Sequence, residues 1–108
     1  MRYCLALDLK NDESLIAQYE QYHCAVWPEI IDSIKNSGIT NLEIYRILNR
    51  LFMIMETDES FSLDKKSEMD NANPKVQEWE TLMWKYQQAL PGAKPGEKWV
   101  LMNKIFEL

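Results

Sequence analysis

The sequence predicts an α+β domain, and three observations predict it. Period-two alternation marks both ends of the chain, two adjacent β-rich runs occupy its middle, and a helical spacing of apolar residues fills each of the two intervals between them. The resulting order, strand, helix, strand, strand, helix, strand, is that of the split βαβ or ferredoxin-like fold, a four-stranded antiparallel sheet with both helices on one face. The 108 residues suit one domain, 1–108, without linker, repeat or low-complexity stretch.

Residues 2–9 form the first strand, with Tyr3, Leu5, Leu7 and Leu9 opposite Cys4, Ala6 and Asp8. Asn11 and Asp12 then offer caps, Glu13 adds a negative charge to the first turn, and Leu15, Tyr19, Tyr22, Val26, Ile30 and Ile34 recur at spacings of three and four. This is a long amphipathic helix with a kink or restart near Trp27. Pro28 removes an amide donor there and disfavours α geometry in the residue before it. Ser37-Gly38 closes the element. Residues 39–48 and 51–57, separated by Asn49-Arg50, read as a hairpin.

Residues 60–69 carry mixed signals that suit a short helix, whereas Asn73-Pro74 places a capping side chain before a proline at the first helical position. The second helix is expected over about 74–90, with Val76, Trp79, Met83, Tyr86 and Leu90 on one face and Pro91-Gly92 at its end. After a turn to Gly96, residues 98–106 alternate as a last strand in which both sets are largely apolar. Such a strand suits a sheet covered on each side, by its own helices and by a second subunit. A cavity between helices and sheet would then hold a small ligand.

The net charge of −5 and the scatter of the 12 Lys and Arg argue against a nucleic-acid partner. No apolar run approaches the roughly 20 residues that cross a bilayer, and the start is too short and too soon acidic for a signal peptide, so no membrane partner is expected and the expected location is cytoplasmic. Cys4 and Cys24 lack zinc-site spacing and are expected as buried small apolar residues rather than a disulfide. A metal site lacks ligands, three glycines do not build a phosphate-cradling loop, and no nucleophile elbow is present. Cofactor-free acid/base chemistry, or binding, remains.

His23 is the only histidine, and imidazole alone exchanges protons near neutral pH without help from its surroundings. On a helix Tyr19 and His23 are neighbours on one face, with Tyr22 and Val26 beside them and Trp27 one turn beyond. Flat aromatic faces pack on the C–H side of a pyranose while imidazole and phenol contact its hydroxyls, so the cluster suits a sugar. Trp79, Trp84 and Tyr86 join from the second helix. On spacing alone the plainer account is packing: Tyr19 and Tyr22 as core or boundary residues, Trp79, Met83 and Tyr86 as an ordinary helix stripe, and Glu20, Glu29, Glu78 and Glu80 as solvated charges. Trp84 falls one residue off that stripe.

The run Tyr19-x-x-x-His23-x-x-x-Trp27-Pro28-Glu29 resembles the L-rhamnose mutarotase family. The likeness continues through Gly38, Asn41, Ile44-Tyr45, Leu51-Phe52, Trp84-Lys85-Tyr86 and a closing strand that ends in Phe106, so it spans essentially the whole chain. The resemblance implies a dimeric α/β-barrel fold with a homodimer through the sheet. It further implies an isomerase, without cofactor or metal, that interconverts the α and β anomers of L-rhamnose or a related 6-deoxyhexose such as L-fucose.

His23 would be the catalytic acid/base, acting at the ring oxygen, and Tyr19 or a water it holds would handle the anomeric hydroxyl. Tyr19, Trp27, Tyr45 and Trp84 would bind substrate. Two positions depart from the family pattern, Leu42 where it has a tyrosine and Met83 where it has the first of two tryptophans, and both bear on which sugar is taken. The same architecture also hosts haem-binding and cofactor-independent oxygenases, in which His23 would be an axial ligand, and silent sugar-binding modules. Trp27-Pro28-Glu29 has no role in ligating iron.

Overall fold

β1 (Arg2–Leu9) is the strand on which the sheet is assembled, and the computed structural model describes it together with all the other residues, 1–108. It pairs antiparallel with β3 (Arg50–Thr57) from Arg2 opposite Glu56 to Asp8 opposite Arg50. This register sets Leu5, Leu7 and Leu9 on the face that carries Leu51, Met53 and Met55, and Leu7 and Leu9 are fully buried there. Each such side chain contributes about 1.5–3 kcal/mol by leaving water. The opposite face carries Cys4, Ala6, Phe52 and Ile54. It ends at Asp8, whose carboxylate oxygens accept from the Arg50 guanidinium at 2.8 and 3.2 Å.

β2 (Ile39–Ile47) completes the expected hairpin with β3. Leu48 takes a left-handed φ of 52° in the turn, and Asn49 ties the turn back to β1 through its Nδ2, which donates to the Leu9 carbonyl at 3.0 Å. The junction into β2 requires Gly38. Its φ is +98°, and a Cβ there would lie 2.7 Å from Asp58 Oδ1 and 2.8 Å from Ser60 Oγ.

The long helical pattern divides at the proline. α1 (Glu13–His23) starts on Asp12, whose carboxylate accepts from the Leu15 amide at 3.0 Å, and α2 (Pro28–Asn36) restarts with Pro28 at its first position. The ambiguous stretch after residue 60 is α3 (Leu63–Asn71), capped by the Ser62 hydroxyl. α4 (Pro74–Met83) stops seven residues short of the expected end at 90. Trp84, Lys85 and Tyr86 turn the chain, and β4 (Gln87–Gln88) pairs with Leu9 and Asp8. The free edge of β1 has amides to satisfy, including that of Lys10, which donates to the Tyr86 carbonyl at 2.8 Å. That pairing prevails over the helical spacing of Tyr86 and Leu90.

The last strand, expected over 98–106, shortens to β5 (Val100–Leu101), opposite Ala6 and Leu5, with one further bond from the Met102 amide to the Cys4 carbonyl. Residues 103–108 leave the sheet with their side chains exposed. Within one chain nothing covers Ile105 and Phe106, and edge pairing alone does not offset the entropy of ordering them. The sheet therefore has five strands rather than four, in the order β2-β3-β1-β4, with β4 and β5 sharing the free edge of β1. It stays open, and the arrangement keeps the ferredoxin-like plan.

The core lies between the helices and the sheet. Leu9, Tyr19, Ile30, Leu51, Val76, Trp79, Met83 and Tyr86 form its larger cluster, and Leu5, Ile39, Met55 and Phe61 the smaller. The cysteines are not in it. Cys24 is exposed just past the end of α1, Cys4 is half-buried on the outward face of the sheet, and both are free thiols. No helix is long and apolar enough to cross a membrane.

Candidate active site

A cavity of about 530 Å³ opens between the α1–α2 segment, the hairpin face of the sheet and α4. Its wall is mostly apolar, built by Val26, Ile30, Ile34, Leu42, Ile44, Met53 and Trp99. Polar groups enter at two places: His23, Tyr19 and Gln87 together, and Lys35, Thr40 and Asn41 at the junction of α2 with β2. A second recess of about 260 Å³ shares Trp79, Met83, Gln87 and Trp99 with the first. A pocket of this size and lining, with a few polar groups, is of the kind that holds a small organic molecule. No group of three His, Cys, Asp or Glu side chains is placed to hold a metal ion.

His23 occupies the last turn of α1, and its Nδ1 lies 2.8 Å from the Tyr19 carbonyl. A carbonyl oxygen only accepts, so Nδ1 donates and carries the proton, leaving Nε2 with a lone pair. Two influences compete for its charge. Burial among rings disfavours the imidazolium and is the larger effect, the hydrogen bond to the carbonyl favours it, and the balance holds the pKa below the ordinary 6.5. His23 is therefore a neutral base near pH 7.

The rings around it are fixed by contact. Tyr19 lies against the imidazole with centroids 4.3 Å apart, and Trp79 meets it edge-on at 5.7 Å. Tyr22 and Trp27 each pack edge-on against Trp79, at 6.3 and 5.0 Å. Tyr19 itself is buried, and burial raises the pKa of its phenol although the hydrogen bond from Gln87 opposes the rise. The phenol keeps its proton. Gln87 Nε2 donates to Tyr19 Oη at 3.3 Å, so that oxygen acts as acceptor toward the amide and its own O–H is free to donate elsewhere.

Of the residues marked in the sequence, the fold brings Tyr19 and His23 to one cavity and distributes the other three. Trp27 stands behind Trp79, half-buried, with Lys75 Nζ 5.6 Å from its ring. Trp84 caps α4 and carries Lys98 Nζ 4.9 Å above its ring; burial lowers the pKa of that lysine, which donates to the Glu80 carbonyl. Tyr45 is 54% exposed on the outward face of the sheet, bonded to Glu43. Both departures from the family pattern, Leu42 and Met83, line the cavity.

Trp79, which the sequence brings to the His23 cluster from the second helix while also fitting an ordinary core stripe, stands in the wall, and so does Gln87, which sequence reasoning did not place there. For Trp79 a signal existed, since it shares the α4 face with Met83. Gln87 had none, because the helical pattern ran through it.

A profile of the family described as L-rhamnose mutarotase matches residues 2–108. The L-fucose mutarotase of Xanthomonas campestris pv. campestris is 47% identical over 109 residues, which span 99% of this chain and 87% of that protein. Among solved structures, the L-rhamnose mutarotase of Formosa agariphila superimposes with a TM-score of 0.74 at 18% identity, covering 100% of this chain and 98% of that one. The tetracenomycin F2 cyclase of Streptomyces glaucescens, a polyketide cyclase, superimposes with a TM-score of 0.63 at 14% identity, covering 100% and 96%. These two share the fold. The chain belongs to the L-rhamnose mutarotase family.

The state of His23 has a consequence for stability. The unfolded chain takes up a proton on this histidine near pH 6.5, the folded chain only below that, so stability is unaffected above this range and falls as the pH drops through it. Chemical denaturation of the wild type and of His23→Asn at a series of pH values between 7.5 and 5 checks this. The wild type is expected to lose stability more steeply, and parallel curves would contradict the neutral, desolvated imidazole.

Proposed function

We propose that the protein is a mutarotase, an isomerase that interconverts the α and β anomers of a 6-deoxyhexose, and that His23 carries the reaction. The observation that supports this most is the pairing, in one largely apolar cavity, of a neutral imidazole whose Nε2 is free with a protonated phenol whose O–H is free. Family membership supplies the reaction class. The 47% identity to an L-fucose mutarotase favours L-fucose over L-rhamnose, and Leu42 and Met83 leave the wall short of a phenol and an indole relative to the family pattern.

Anomer exchange needs a proton removed from the anomeric hydroxyl and one added to the ring oxygen, after which the C1–O5 bond opens to the aldehyde. Because Nδ1 of His23 is already protonated and Nε2 is not, His23 begins as a base and takes the proton from the anomeric hydroxyl. Tyr19, or a water it holds, supplies the proton to the ring oxygen. This exchanges the two roles expected from sequence, and the tautomer is the reason. Rotation about C1–C2 presents the other face of the aldehyde, and reclosure returns each proton along the same route. No further group is required, and the half-stacked Tyr19 and edge-on Trp79 hold the imidazole in place throughout.

The same reading makes the protein a homodimer joined through the outward face of the sheet. Ala6, Phe52, Ile54 and Val100 lie half-buried there beside Tyr45, and Ile47, Ile105 and Phe106 are 72%, 95% and 77% exposed nearby in sequence or sheet. A second copy would cover them. It also assigns the protein to the cytoplasm, where Cys4 and Cys24 stay reduced.

Exchange NMR of the anomeric protons of L-fucose and L-rhamnose near neutral pH tests the activity. Wild type is expected to accelerate exchange, L-fucose more than L-rhamnose, and His23→Ala to lose about 10²–10⁴-fold while melting as a folded protein. Equal exchange with and without wild-type protein would refute the reading. Sedimentation equilibrium tests the assembly: wild type is expected at twice the monomer mass and Phe52→Asp at the monomer mass, and a monomeric wild type would remove the dimer.

A further inference from the structure

Gln87 leaves the turn after α4 and enters β4, where its backbone pairs with Leu9 and its side chain reaches the helix side of the sheet beneath Tyr19. The residue is 5% exposed and stands in the wall of both recesses, the larger of which holds His23 and Tyr19. Nε2 is committed to Tyr19 Oη. Oε1 has no hydrogen-bond partner, and it is the one buried side-chain oxygen or nitrogen in the chain so placed. Native interiors rarely leave such an atom unpaired unless it serves a purpose. The two recesses hold donors of their own, among them the Trp79 and Trp99 indoles and the Lys98 ammonium, yet none of them bonds Oε1. Turning the amide over does not help, because Oε1 would then take the Tyr19 hydroxyl proton and Nε2 would stand alone.

A sugar supplies what this atom lacks. Its hydroxyls are donors held at fixed directions by the ring, so an acceptor fixed beside the acid/base pair reads one hydroxyl and its configuration together. We propose that Gln87 is a specificity-determining residue: Oε1 accepts from one ring hydroxyl of the bound 6-deoxyhexose, while Nε2 holds Tyr19 with its O–H turned toward the same sugar. This inference rests on the mutarotase reading. It places the discrimination among sugars on a residue at the start of β4 rather than on the aromatic side chains of α1 and α4. A site built to bond a hydroxyl rejects an analogue that lacks it, since the protein atom is then buried unpaired.

The test is a cycle between protein and substrate, with kcat/KM for anomer exchange measured on the preferred 6-deoxyhexose and on its 2-, 3- and 4-deoxy analogues. Wild type is expected to handle one analogue at least about 10-fold less well than the parent sugar. Gln87→Met, similar in length and without the amide, is expected to lose roughly 10–100-fold on the parent and to treat the parent and that analogue alike. Gln87→Glu retains an acceptor and is expected to keep the discrimination; it also answers the question should the methionine variant fail to fold.

A wild type that treats all the analogues like the parent overturns the proposal, as does a Gln87→Met variant that keeps the wild-type ranking or a Gln87→Glu variant that loses it. Acceleration by wild type with any of those results leaves the mutarotase reading standing and removes Gln87 alone. Absence of acceleration with every 6-deoxyhexose removes both.

Discussion

The hydrogen bond from His23 Nδ1 to the Tyr19 carbonyl is the contact on which the proposed chemistry depends. It selects the tautomer, and the tautomer decides that Nε2 begins as a base. In its setting burial opposes two influences that favour the cation, this hydrogen bond and the end of a helix. His23 stands at the C-terminal end of α1, where the helix dipole favours a positive charge by about 0.3–1 kcal/mol at exposed sites. Here the ring is packed among Tyr19 and Trp79, and loss of hydration prevails, so the pKa falls rather than rises. The same histidine on an open helix end would be cationic over much of the range in which this one is a base.

That packing is a consequence of the fold rather than of α1 alone. Pro28 ends the first helical segment close behind His23, and α4 delivers Trp79 against three ring systems from α1 and the break that follows it. β4 then brings Gln87 under Tyr19, with Leu9 as its strand partner. Each ring has a neighbour on another element, so the imidazole has little freedom to leave its position. Aromatic pairs in such tilted and edge-on geometries contribute about 0.5–1.5 kcal/mol each beyond the area they bury. The site and the larger core cluster are therefore one structure, and Tyr19 and Trp79 belong to both.

Much of this was legible in the residues. The alternation of Tyr3, Leu5, Leu7 and Leu9 and the hairpin over 39–57 appear as written, because a half-buried strand leaves a pattern that no helix imitates. Tyr19 and His23 meet because they are four apart on a helix, a relation that needs no tertiary information. The extent of α4 was not legible: Met83, Tyr86 and Leu90 continue a helical period, and only the unfilled edge of β1 turns the chain at Trp84. Gln87 was hidden by the same ambiguity, since its place in the cavity exists only once β4 does. The last strand frays for a related reason, its apolar side chains needing a cover that one chain does not provide.

With a single histidine in the chain, the imidazole nitrogens give one set of resonances, and a pH titration of ¹⁵N-labelled protein by long-range ¹H–¹⁵N NMR reads tautomer and pKa together. The account predicts a neutral ring at pH 7 with the proton on Nδ1 and a titration midpoint below 6.5. A ring protonated on Nε2, or one that titrates above 6.5, would contradict it.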